Sequence, residues 1–336
     1  MRYYRSTDKR IRTLSDWPSM LLTFAVSLLC WGIGYFYSVG FPLTNESAIL
    51  PLWSILCEFL SSKIVVYIAG LLLLLLSAFI MQRVSDMEML IRERTRLPFL
   101  LFVLLTSTNV GVIPLKEVTV VLLCLVFMVY ELFKSYQQPE ATGTLFNAGV
   151  LIGFASLFMP QILWFVPLLW IGMYQFRSLS LKSTMASLVG VLIIYWFALA
   201  WCTWKHDFSM FTLLYSSIAD FKILFIATSF QYYQIGIMGI VLILIMALFH
   251  IKIDAFSNSV RVRQMLSFLL NVSVWTLFLM LIYGNSVDSF IAILYLPGSV
   301  LIAYFFENMH NRFRFLLYSF TLIICVVSFV MRVWNF

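Results

Sequence analysis

Eleven apolar runs separated by short polar turns organise this chain of 336 residues. They lie near 19–39, 63–82, 97–113, 118–133, 144–159, 162–176, 184–203, 232–250, 265–283, 289–306 and 315–333. A helix crossing a hydrocarbon core of about 30 Å needs roughly twenty apolar residues at 1.5 Å each. The runs therefore predict an all-α fold: a polytopic transmembrane helical bundle of about eleven spans. The pairs 97–113/118–133 and 144–159/162–176 are short for full crossings, so a re-entrant pair would lower that count by two. Apolar residues make up 62% of the chain and charged residues 11%, against about 45–50% and roughly 25% in soluble domains. That balance excludes a water-soluble enzyme, a disordered chain and a nucleic-acid-binding module. No polar interval approaches the roughly 50 residues of a separate domain, so residues 1–336 read as a single integral membrane domain.

Orientation follows from the basic residues. With the N-terminus inside, 17 of the 22 Lys and Arg side chains fall on the cytoplasmic side. Lys63, Lys116, Lys205, Lys222 and Arg332 fall outside. The positive-inside rule then gives an N-in, C-out arrangement in the cell inner (cytoplasmic) membrane. The first apolar run follows Arg2, Arg5, Lys9, Arg10 and Arg12. It is too long for a secretory h-region and lacks a clear cleavage site, so it is expected to remain as the first span.

Two outer segments have helical periodicity of their own. Residues 50–60 place Leu52, Ile55, Leu56 and Phe59 on one face. Residues 207–222 put Phe208, Phe211, Tyr215 and Ile218 at three- and four-residue steps. Each predicts a short amphipathic helix on the outer face, lying in the interface or packed as a lid over the bundle.

No charged residue falls near the centre of any run, which disfavours ion-coupled transport, because intramembrane charges are costly and usually functional. Nucleotide P-loop, zinc-protease and nucleophile-elbow motifs are missing. His206, His250 and His310 sit in separate loops, and no Cys pairs as C-x-x-C. Neither a metal nor a cofactor is expected. The outer face holds Glu46, Glu58, Glu117, Asp207, Asp220 and Asp288. Glu58 and Glu46 share the first outer loop, where one carboxylate could serve as a general base toward a hydroxyl; they are the candidate catalytic residues. The alternative is that they are solvated loop acids. On the inner face Arg92, Arg94 and Arg96 are candidates for a lipid headgroup, or simply a topology signal. Gly149 and Gly153 match the small-xxx-small pattern of close helix packing.

The stretch from about Ala78 to Phe197 resembles an uncharacterised family of polytopic inner-membrane proteins of Bacteroidota. The likeness rests on Ser77-Ala-Phe-Ile-Met-Gln-Arg83, Leu90-Ile-Arg-Glu-Arg-Thr-Arg-Leu-Pro98 and Phe146-Asn-Ala-Gly-Val-Leu-Ile-Gly-Phe-Ala-Ser-Leu-Phe158. It implies topology and location, not an activity. The paired short helices followed by Gly149-x-x-x-Gly153 and a proline also look like the bundle of GT-C-type glycosyltransferases, at the level of fold alone. Those enzymes use lipid-linked sugar donors and an acidic residue in the first outer loop, which only Glu46 or Glu58 could match here; Asp is the more usual choice. The leading expectation is handling of an envelope lipid or lipid-linked glycan, with membrane lipids and a lipid-linked substrate as partners. A non-catalytic scaffold bound to another membrane protein, or a facilitator for a neutral substrate, are the alternatives. No nucleic-acid partner is expected.

Overall fold

Apolar runs fold as helices because a helix satisfies its backbone groups within one segment, and the computed structural model shows helices in the runs among its described residues. It describes residues 17–39, 53, 56, 57, 60, 62–91, 95–138, 140–222, 245, 259–308 and 311–334. The helices are α1 (Trp17–Phe36), α2 (Lys63–Met87), α3 (Leu97–Ser107), α4 (Glu117–Lys134), α5 (Thr142–Ser156), α6 (Phe165–Gln175), α7 (Leu181–Lys205), α8 (Ser209–Ala219), α9 (Val260–Ile282), α10 (Val287–Asn308) and α11 (Asn311–Trp334). Short 3₁₀ turns, Pro160–Trp164 and Gly284–Ser286, precede α6 and α10. The described residues contain no strand. Of the run at 232–250 only Ile245 is among the described residues.

Four stretches among the described residues are long and apolar enough to cross a membrane: Lys63–Met87, Leu181–Lys205, Val260–Ile282 and Gly284–Glu307. Their surroundings differ. The last is 94% buried inside the protein, whereas Leu181–Lys205 is 28% buried. So α10 is the central helix and α7 a peripheral one. On the outer surface of the bundle Leu72, Leu192, Trp196, Phe278 and Ile323 are all more than half exposed. A soluble bundle keeps its polar face outward; an apolar coat over an apolar core is that of a membrane protein.

Where the helices stop differs from the runs for local reasons. The run at 97–113 ends as helix at Ser107. Thr106 and Thr108 donate to the carbonyls of Phe102 (2.6 Å) and Leu104 (2.9 Å). Asn109 Oδ1 then accepts from the Gly111 backbone N–H at 2.9 Å, closing the turn. Side-chain bonding of this kind competes with helix continuation. At Pro160 the chain begins a 3₁₀ turn, a first position that suits proline because a backbone N–H there has no partner within the turn. Ser180 caps α7, accepting from Ser183 N at 3.2 Å, and His206 ends it in the left-handed conformation, φ 55°.

Helix α5 packs closely on α7. A Cβ placed on Gly149 would lie 2.1 Å from Ser187 O, and one on Gly190 would lie 2.3 Å from Phe146 O. Gly153 faces Val191 O at 3.0 Å in the same way. The two backbones touch, which only residues without a side chain permit. Ser156 and Tyr195 hydroxyls join the same pair at 2.7 Å.

Candidate functional site

The turns between helices bring polar groups together at two ends. At one end stand Glu88, Arg96, Lys134 and Arg261. Glu88 pairs with Arg261 across the α2 and α9 termini at 2.5 Å. Burial pushes the Glu88 carboxyl up, opposed by the Arg261 charge. Arg96 is exposed, its guanidinium 3.3 Å from the Met20 sulfur. Arg92 and Arg94 lie outside the described residues, so no headgroup site formed by all three is described.

The other end is the richer one. Its base is a knot of polar groups from three separate turns. Arg332 near the end of α11 pairs with Asp288 in the first turn of α10. A second Arg332 nitrogen donates to Asn109 Oδ1 at 3.3 Å. Asn109 Nδ2 in turn donates to the Asp288 backbone carbonyl at 3.4 Å. Gly111 lies against Asp288, where a Cβ would come within 2.7 Å of the Asp288 Cβ.

Beside this knot is a cavity of about 750 Å³, inside the roughly 300–1,000 Å³ range of small-molecule sites. Glu117, the first residue of α4, lies on one side, with Asp220 and the Ser216–Ser217 pair at the end of α8. Gln161, Tyr283, Asn285, Ser286 and Ser289 contribute amides and hydroxyls, while Phe158, Met159 and Pro160 add an apolar wall. Glu117 stands one residue before the apolar run at 118–133. Burial holds its carboxyl up to about 7, against the pull of the adjacent Lys116. Burial also lowers Lys116, with Asp288 and Glu117 opposing and Arg332 reinforcing that shift.

One wall of the cavity is latched. The Tyr283 hydroxyl accepts from Trp164 Nε1 and donates to Ile218 O, both at 2.8 Å. Gln161 Nε2 donates to Ser217 O at 3.3 Å, Asn285 Nδ2 to Asp220 Oδ2 at 3.2 Å, and Gly284 N to Lys222 O at 2.7 Å. These bonds hold the last turn of α8 and the residues after it onto the 3₁₀ turn and the α9–α10 corner. Earlier in α8, Met210 and Leu214 fill a hollow between Leu157, Ala198 and Cys202. The face turned to the bundle is thus Met210/Leu214, while Phe208 and Tyr215 are exposed. Of the stripe Phe208, Phe211, Tyr215 and Ile218, Phe211 packs partly against the same hollow. The hollow beside Cys202 decides which stripe is buried.

Glu46 and Glu58 lie outside the described residues, as does most of segment 50–60; Trp53 is buried and Leu56 partly so. The carboxylates that the described fold brings to one cavity are Glu117 and Asp220. Both belong to the outer acids of the sequence, but neither stood out there. Their cavity is assembled from four turns far apart in the chain, so no local spacing marks it. Gly149 and Gly153 sit in the α5–α7 contact, away from this cavity. Compared with family models, curated proteins and solved structures, the chain matches none.

Proposed function

We propose that this protein is a multi-pass inner-membrane protein that takes the polar headgroup of an envelope lipid or lipid-linked glycan into the cavity beside Glu117. The cavity opens on the side that the basic residues assign to the outside. The observation that carries the reading is a polar, hydroxyl- and carboxylate-lined cavity at the end of an apolar bundle. A headgroup bound there keeps its chains in lipid, against the exposed apolar coat. Close packing around α10 supports a site at the bundle end rather than a path through its middle. For group transfer in the manner of GT-C-type enzymes, Glu117 is the carboxylate in place to take a proton from a bound hydroxyl, since a base works best with a pKa near the operating pH.

The test is native mass spectrometry of the protein purified from its own membranes. A one-to-one glycolipid adduct is expected, and Gln161→Ala/Asn285→Ala should lose most of it. Phospholipid adducts alone, or a glycolipid adduct indifferent to that double substitution, would refute the reading.

A further inference from the structure

Resting on that reading, we propose that the cavity is selective for an uncharged, hydroxyl-rich headgroup, that is a sugar, and keeps anionic groups such as phosphate outside. The chemistry of its wall argues this. Protein sites for phosphate use Arg or Lys forks and unoccupied helix N-termini, where free N–H groups and the helix dipole attract negative charge. No Lys or Arg side chain lines this cavity among the described residues. The cations around it each face a carboxylate, Lys116 those of Glu117 and Asp288. Arg332 is held by Asp288 and Asn109, and Lys222 stands 3.7 Å from Asp220.

Two helix N-termini do border the cavity, those of α4 and α10. Each carries its own acid in its first turn, Glu117 and Asp288. In their ionised form those carboxylates oppose the positive ends that would otherwise hold an anion, and Glu117 does so as pH rises past its raised pKa of about 7. What remains facing the space suits a polyol. Serine hydroxyls both donate and accept, and amides and carboxylates offer paired acceptors or donors to neighbouring hydroxyls. Tyr283 has committed its hydroxyl to Trp164 and Ile218 and packs its ring against Phe221 and Phe290, so it shapes the wall and leaves ligand contacts to the serines and amides.

The experiment compares two probes with identical short acyl chains, a monoglucosyl diacylglycerol and the corresponding phosphatidic acid. Both are titrated against the full chain in phosphatidylcholine nanodiscs, with intrinsic tryptophan fluorescence as readout. The glucosyl lipid is expected to bind at least tenfold more tightly. Glu117→Gln/Asp220→Asn should shrink that preference by about an order of magnitude, chiefly by admitting the phosphate. The wild-type comparison stands even if this variant misfolds. Equal or tighter binding of phosphatidic acid by the wild-type protein overturns the selectivity. In that outcome the headgroup reading survives if Gln161→Ala/Asn285→Ala weakens phosphatidic acid binding. Binding of neither probe overturns the headgroup reading and the selectivity together.

Discussion

Replacing Gly149 by alanine should force α5 and α7 apart. The added methyl group would sit 2.1 Å from Ser187 O, whereas ordinary contact begins at 3.4 Å. The atom in the way is backbone, so it cannot swing aside like a side chain, and the helices must separate locally by about 1.3 Å. Overpacking of this kind costs about 1–3 kcal/mol, and a backbone obstacle places Gly149 near the upper figure. Gly190→Ala meets Phe146 O at 2.3 Å and Val150 N at 2.9 Å, so its cost should be similar. Both substitutions widen one gap, and the double variant should therefore lose less than the sum of the two. Gly143 is the internal control. It lies on the same helix with nothing within 4 Å of a new Cβ, so Gly143→Ala should be neutral or slightly stabilising. The assay is thermal unfolding in detergent, followed by a thiol-reactive dye. Cys30, Cys124, Cys202 and Cys325 are free and buried, so they label only as the bundle opens. At roughly 2 °C per kcal/mol for a chain of this size, Gly149→Ala should melt about 5 °C below wild type. Melting of Gly149→Ala and Gly143→Ala within 1 °C of each other would refute the reasoning.

Three further outcomes follow from the cavity end. The Glu117 carboxyl is raised from 4.5 to about 7 in the folded protein, so the folded state holds its proton more tightly than the unfolded one. Its contribution is complete below pH 4.5 and is lost as pH rises through 7. Glu117→Gln should flatten stability between pH 5 and pH 8 by at most about 3 kcal/mol, read from melting temperatures across that range; an unchanged slope would contradict the burial argument. Tyr283→Phe removes two hydrogen bonds of 2.8 Å and should cost about 1–3 kcal/mol, with faster amide exchange in 217–222 but not in α10. Arg332→Gln breaks the pair with Asp288, whose side chains are 15% and 38% exposed. A loss of about 2 kcal/mol is expected, below the value for a fully buried pair, and Asp288→Asn introduced alongside it should recover part of the loss.

Much of the helical scaffold could be read from the residues, because lipid leaves a long apolar run few alternatives to helix. Leu97, Glu117, Leu181 and Val287 start helices within three residues of the expected runs. The short α3 was harder to bound, because Thr106, Thr108 and Asn109 end it through side-chain bonds that hydropathy does not register. The cavity was least legible. Glu117, Gln161, Asp220 and Tyr283 meet only through the packing of α4, α8 and the α9–α10 corner, and nothing in the spacing of these residues announces it. Emphasis fell on Glu58 and Glu46 because they share a loop, which is a local cue. On α8 periodicity marks an apolar stripe, while the burial of Met210 and Leu214 depends on the shape of the neighbouring helix.

The Asn109–Asp288–Arg332 knot also bears on how the molecule is made. Its guanidinium belongs to the last described helix, so a growing chain threaded through the translocation machinery must wait for α11 before Asp288 acquires this partner. Until then Asp288 has Lys116 as its nearby cation, so the bidentate hold on the base of the cavity is the last part of the site to form.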